Sequence, residues 1–135
     1  MSRGNADRAR QIYALLSRRD VEAVLTYLAP RFEVDWSRSM SGMSDVYTDR
    51  DEVGAAWIEH WVDPWEWLEL NVVEATELDD DTVLCITHGR MRGRGSGAEV
   101  EATGAVVWTF DDGLVTRSVM YQTRDDALAA FRDGA

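Results

Sequence analysis

Two histidines, His60 and His88, and a strand aspartate, Asp35, are the side chains of this sequence best suited to moving a proton near neutral pH. His60 lies three residues after Trp57 and one before Trp61, on what reads as the inward face of a helix. A histidine on an apolar face must hydrogen-bond or be partly exposed. It is a candidate general base or a polar handle on a ligand, and equally a structural histidine at a helix end or subunit seam. His88 falls on a strand, sharing one face with Leu84, Ile86 and Arg90, while Val83, Cys85, Thr87 and Met91 take the other. Alternation leaves open which face points inward. Asp35 can orient either histidine as a carboxylate–imidazole pair. His60, His88 and Asp35 are therefore the candidate catalytic residues.

The aromatic residues suggest a binding surface. There are six tryptophans, and Trp57, Trp61, Trp65 and Trp67 cluster. Large rings fill the volume of a small core. They also make a wall for a flat or aromatic ligand, and Trp36, Trp57 and Trp61 are the candidates, with Tyr121 at the end of the last strand as a hydrogen-bonding partner.

Other chemistries find little support. All 14 basic residues are arginine, which removes lysine Schiff-base mechanisms. The single cysteine, Cys85, permits no intramolecular disulfide and reads as a small buried hydrophobe. No HxH or HExxH spacing occurs, so no metal is expected, a set built from His60, His88 and Asp35 being the one arrangement left. The run GRMRGRGSG lacks the strand-to-helix context of a phosphate loop and reads as a hairpin end. Arg90, Arg92 and Arg94 alternate there and can meet Glu99 and Glu101 across the hairpin. No cofactor is expected. A net charge of −11 disfavours nucleic acid and anionic membrane as partners. With no apolar run of signal-peptide or membrane-spanning length, a cytoplasmic location is expected.

The elements that position these residues follow from periodicity. Residues 1–7 are polar and expected to be frayed or disordered. Ala6, Ala9, Ile12, Tyr13 and Leu16 make a helical stripe. Asp20 caps a second helix, expected to run on to Leu28 and stop at Pro30. Phe32, Val34 and Trp36 alternate as a strand, and a small extended piece is expected near 46–48 after a loop. A third helix, capped by Asp49 or Asp51, runs to about Val62. After Pro64 the period changes to two, predicting strands near 65–78, 82–92, 99–110 and 114–122 and then a short helix capped by Asp125. Asp112-Gly113 is a hairpin signal. Both registers of the strand at 99–110 carry apolar residues. Three helices cover only one face, so a second subunit laid sheet to sheet is expected on the other, giving a homodimer.

Four stretches carry a family resemblance: LLSRRDVEAVLTYLAPRFEVDW, VYTDRDEVGAAWIEHW, RGRGSGAEVEATGAVVWTFDDGLVTR and YQTRDDALAAF. Together they span nearly the whole chain, and the sequence resembles the nuclear-transport-factor-2-like superfamily, SnoaL-like proteins within it. The resemblance implies one α+β domain over 1–135. It is a cone of three N-terminal helices packed on a strongly curved antiparallel sheet, with a short C-terminal helix and an apolar pocket. The fold hosts many activities and does not choose among them. The ketosteroid isomerase constellation within it is not matched: its base site falls on Trp36, its first-helix tyrosine site on Ile12 beside Tyr13, and its late-strand acid on Val106. The expectation is a small hydrophobic or aromatic ligand in the pocket. The alternatives are a cofactor-independent cyclase, isomerase or dehydratase using a histidine or aspartate, and a dimeric interaction module with a filled cone.

Overall fold

The computed structural model describes residues 2–39 and 45–134. The central part of the loop after Trp36, at 40–44, lies outside the described residues. Helix α1 (Ser2–Ser17) buries Ala9, Ile12, Tyr13 and Leu16, the stripe read from spacing. It begins earlier than the polar N-terminus suggested. Asn5 is buried there and donates to the Asp80 carbonyl at 3.0 Å, so a polar side chain ties the first turn to the sheet. Asp20 caps α2 (Val21–Leu25), its carboxylate accepting from the Ala23 N–H. α2 is shorter than expected, because Pro30 belongs to strand β1 (Leu28–Asp35) instead of ending the helix. β1 pairs at Leu28 and again from Glu33, with an irregularity between, so proline sits where the ladder is interrupted and no N–H is required.

Strand β2 (Val46–Tyr47) pairs with the end of β1. Helix α3 (Arg50–Trp57), capped by Asp49, continues into a π-turn, Ile58–Val62, closed by the Asp63 N–H donating to the Ile58 carbonyl. The meander follows as β3 (Trp65–Glu77), β4 (Thr82–Gly93), β5 (Glu99–Asp111) and β6 (Leu114–Tyr121). Asp112 and Gly113 take φ of 53° and 80°, the two positive values of a type I′ turn joining β5 to β6. Thr123, not Asp125, caps α4 (Arg124–Arg132), accepting from the Asp126 N–H.

The strand order is β2-β1-β6-β5-β4-β3. This corrects the expected architecture. The sheet is mixed, because β1 runs parallel to β6, and it is open, with β2 and β3 as edges, so it is not the strongly curved antiparallel sheet of a cone. Alternation of apolar residues reports which face a side chain takes but carries no information on the relative direction of two strands, and β1 is separated from the meander by α3.

The inner face carries Val34, Val83, Cys85, Val106, Trp108 and Val115 against α1, α2 and α3. Ser17 Oγ accepts from the Leu70 N–H at 2.9 Å and fixes the end of α1 to β3. The outer face holds a second cluster in which Leu84, Ala105, Val119 and Tyr121 meet Ala127 of α4. The chain's own C-terminal helix thus covers much of the apolar register that pointed to a second subunit. Arg124 fastens that helix with two hydrogen bonds to Glu74, at 2.9 and 3.1 Å. Beyond α4 the outer face is charged, with Arg90 paired to Glu99 and Arg92 to Glu66. Among the described residues no helix is long and apolar enough to cross a membrane.

Candidate functional site

The inner face of the sheet, with the ends of α1 and α3, encloses a cavity of about 130 Å³. Trp36 is one of its walls, 2% exposed. It follows the last residue of β1 and takes the inward register of Val34, its N–H donating to the Asp45 carbonyl at 3.0 Å. Three rings pack around the indole: Tyr47 edge-on at 5.2 Å between centroids, Trp57 tilted at 6.4 Å, and His60 edge-on at 6.0 Å. Trp57 and Trp61 also line the cavity. The π-turn holds one residue more per hydrogen-bonded ring than an α-turn, and it begins immediately after Trp57. Trp65 steadies it, its indole N–H donating to the His60 carbonyl at 3.0 Å.

The remaining sequence candidates take other places. His60 is half-buried behind Trp36, touching its ring without lining the cavity. His88 occupies the outer face, its Nε2 lying 3.4 Å from Glu101 Oε1 across β4 and β5. Asp35 alternates away from Trp36 and builds the turn that follows it, accepting from the Ser37 N–H at 2.8 Å and the Ser37 hydroxyl at 2.6 Å, with Arg38 4.0 Å away. Tyr121 lies under α4 on the outer face, where burial raises the pKa of its phenol. The structure brings Trp36, Trp57, Trp61 and, at one remove, His60 together. It does not bring His60, His88 and Asp35 together, and among the described residues no three His, Cys, Asp or Glu side chains converge as a metal site would require.

Several cavity residues escaped the reading of the sequence. Tyr13 of α1 lines the cavity, its hydroxyl accepting from the Trp108 indole N–H at 3.1 Å, with the two rings edge-to-face at 5.7 Å. Burial pushes the phenol well above its ordinary pKa, the neighbouring Cys85 adds to the rise, and the indole hydrogen bond partly offsets it. Tyr13 is therefore a neutral hydroxyl across the working pH range. Cys85 behind it has its thiol pushed up to about 12 by burial, which leaves it protonated and inert. Thr87 and Ser118, both buried, and Thr103, exposed, add hydroxyls to the lining. A polar residue in an otherwise apolar register was the available signal for Thr87; Ser118 alternates with Thr116, so its register gave none. For Tyr13 there was none, since a helical stripe does not distinguish a core position from a cavity wall. No charged side chain lines the cavity among the described residues.

The fold is one capable of housing a small-molecule pocket. The SnoaL-like domain model matches residues 9–118, and the chain belongs to that family, within the nuclear-transport-factor-2-like superfamily. No curated protein matches the chain in sequence. Solved structures share its fold. An NTF2-like protein of unknown function from Burkholderia pseudomallei is 23% identical, with 96% of this chain and 97% of that chain covered at a TM-score of 0.74. A Mycobacterium tuberculosis protein solved in complex with estradiol-17β-hemisuccinate is 16% identical, with 90% and 95% covered at a TM-score of 0.72. TerC, co-crystallised with polyporic acid, is 20% identical, with 96% of both chains covered at a TM-score of 0.73.

Proposed function

We propose that the protein binds a small hydrophobic or aromatic molecule in the cavity beneath Trp36. The observation that carries this reading is an uncharged cavity of about 130 Å³ walled by Trp36, Trp57, Trp61 and Trp108. Its size is close to that of an apolar cavity of about 150 Å³ that takes up benzene. Ring-bearing organic molecules accompany two proteins of the same fold, which agrees with this use of the scaffold. Titration with toluene, followed by intrinsic tryptophan fluorescence, tests it. Gly104 lines the cavity, and a Cβ there would lie 3.0 Å from Thr87 Oγ1, so Gly104→Leu fills the space. A saturable change in the wild type that is lost in Gly104→Leu is expected. An identical, non-saturating response in both proteins removes the reading.

Acid–base catalysis is a second reading. It finds no base at the cavity among the described residues, because Asp35 and His88 face elsewhere and His60 touches Trp36 without lining the space. His60→Gln should therefore spare ligand affinity. The cavity argues against a filled interaction module. For the quaternary state we propose a homodimer through the sheet, supported by Val73, 67% exposed at the register irregularity of edge strand β3 between Val72 and Glu74. Sedimentation showing only a 15.2 kDa species at micromolar concentration removes that assembly.

A further inference from the structure

Resting on the reading of the cavity as a binding site, we infer that its ligand is neutral, of single-ring size, and enters with an oxygen first, hydrogen-bonded to Ser118. Ser118 is 3% exposed and lines the cavity, and its hydroxyl has no hydrogen-bond partner in the protein among the described residues. That hydroxyl is not a sealed-off orphan, since Glu77 Oε2 is the one buried side-chain polar atom left without a partner among the described residues; it stands open to the cavity, where a guest oxygen can hydrogen-bond it.

Ser118 lies on the cavity floor. Its neighbours across the sheet are Val34 on β1 and Trp108 on β5, both buried. The opposite end of the cavity is bordered by Ala102 and Thr103, both exposed, which marks the mouth. Thr87 also lacks a hydrogen-bond partner among the described residues, but it pairs with Gly104, four positions along β5 from Trp108. At about 3.3 Å per residue the two hydroxyl positions are separated by roughly 13 Å along the sheet. One ring cannot reach both, and the enclosed site is the floor.

The charge of the guest follows from the lining. Indoles, methionines and small side chains surround the cavity, with no arginine or carboxylate among them. A carboxylate or an ammonium would lose its hydration without gaining a counter-ion. A phenol or a cyclic ketone meets every condition: neutral, compact, apolar in its body, and with one oxygen that a serine hydroxyl can serve as donor or acceptor.

The test compares p-cresol, toluene and p-toluate on the wild type and Ser118→Ala by isothermal titration calorimetry. The substitution removes a hydroxyl that makes no hydrogen bond within the protein, so the unfolding midpoint in urea should change little. Toluene should bind both proteins equally. The affinity for p-cresol should fall by roughly 2- to 13-fold in Ser118→Ala, the worth of one neutral hydrogen bond. Binding of p-toluate should be much weaker than that of p-cresol. Toluene binding with an unchanged p-cresol-to-toluene ratio in Ser118→Ala overturns the role of Ser118 and leaves the binding site standing. Binding of p-toluate as tightly as p-cresol overturns the neutral ligand. Failure of all three probes to bind the wild type overturns the binding site, and this inference with it.

Discussion

Removing the Tyr13 hydroxyl tests how the cavity wall is held. Tyr13 is 5% and Trp108 3% exposed, and the indole N–H has the phenol oxygen as its acceptor at 3.1 Å. An indole nitrogen can only donate. In Tyr13→Phe the rings still meet edge-to-face, but the N–H is left buried with nothing to accept it, at a cost of about 1–3 kcal/mol. For a chain of this length each kcal/mol corresponds to roughly 3–5 °C in Tm. Trp108→Phe removes the donor together with part of a large buried ring, so it should cost more than the hydrogen bond alone. The double variant removes both polar groups. Its destabilisation should fall short of the sum of the single ones, with a coupling on the order of 0.5–3 kcal/mol. Urea unfolding followed by far-ultraviolet circular dichroism measures all four proteins without depending on the altered tryptophan signal, and m should stay constant. Wild-type stability in Tyr13→Phe, with no coupling in the cycle, would refute the hydrogen bond as a support of this wall.

Four further outcomes can be checked. The Glu74 pKa is lowered, chiefly by its hydrogen bonds from Arg124 and then Thr76, so its contribution is present above the ordinary carboxylate value and lost as pH falls through the lowered folded one; Arg124→Ala should reduce that acid-side loss in urea titrations. The Tyr13 pKa is raised in the folded state, so its contribution is complete below the ordinary tyrosine value and declines as pH rises above it; alkaline difference absorption should show Tyr13 ionising only on unfolding. The Cys85 thiol, pushed up to about 12, should resist alkylation at pH 8 in the native protein and react promptly in urea, and rapid native labelling would contradict its burial. Gly113→Ala places a Cβ at a φ of +80° in the β5–β6 turn and should destabilise by about 1–2 kcal/mol, measured as a lower urea midpoint.

Much of the secondary structure was legible because periodicity is a local property. The stripe of α1, the Asp20 and Asp49 caps, the four meander strands and the Asp112-Gly113 turn all depend on residues close in the chain, and each is found near its expected place. The three indoles of Trp36, Trp57 and Trp61 were recognisable for the same reason: strand alternation and helix spacing aim them to one side. What the tertiary structure decided is relative placement. Alternation separated the two faces of β4 but did not say which was inner, and only packing against α1 put Thr87 inside and His88 outside. Spacing could not set the direction of β1 against β6, nor announce that α4 would fold back over the outer face and enclose Tyr121. The pairing of Tyr13 with Trp108 joins residues 95 positions apart. No local pattern records such a contact, because it exists only once α1 lies across the sheet and the two rings share one dry space.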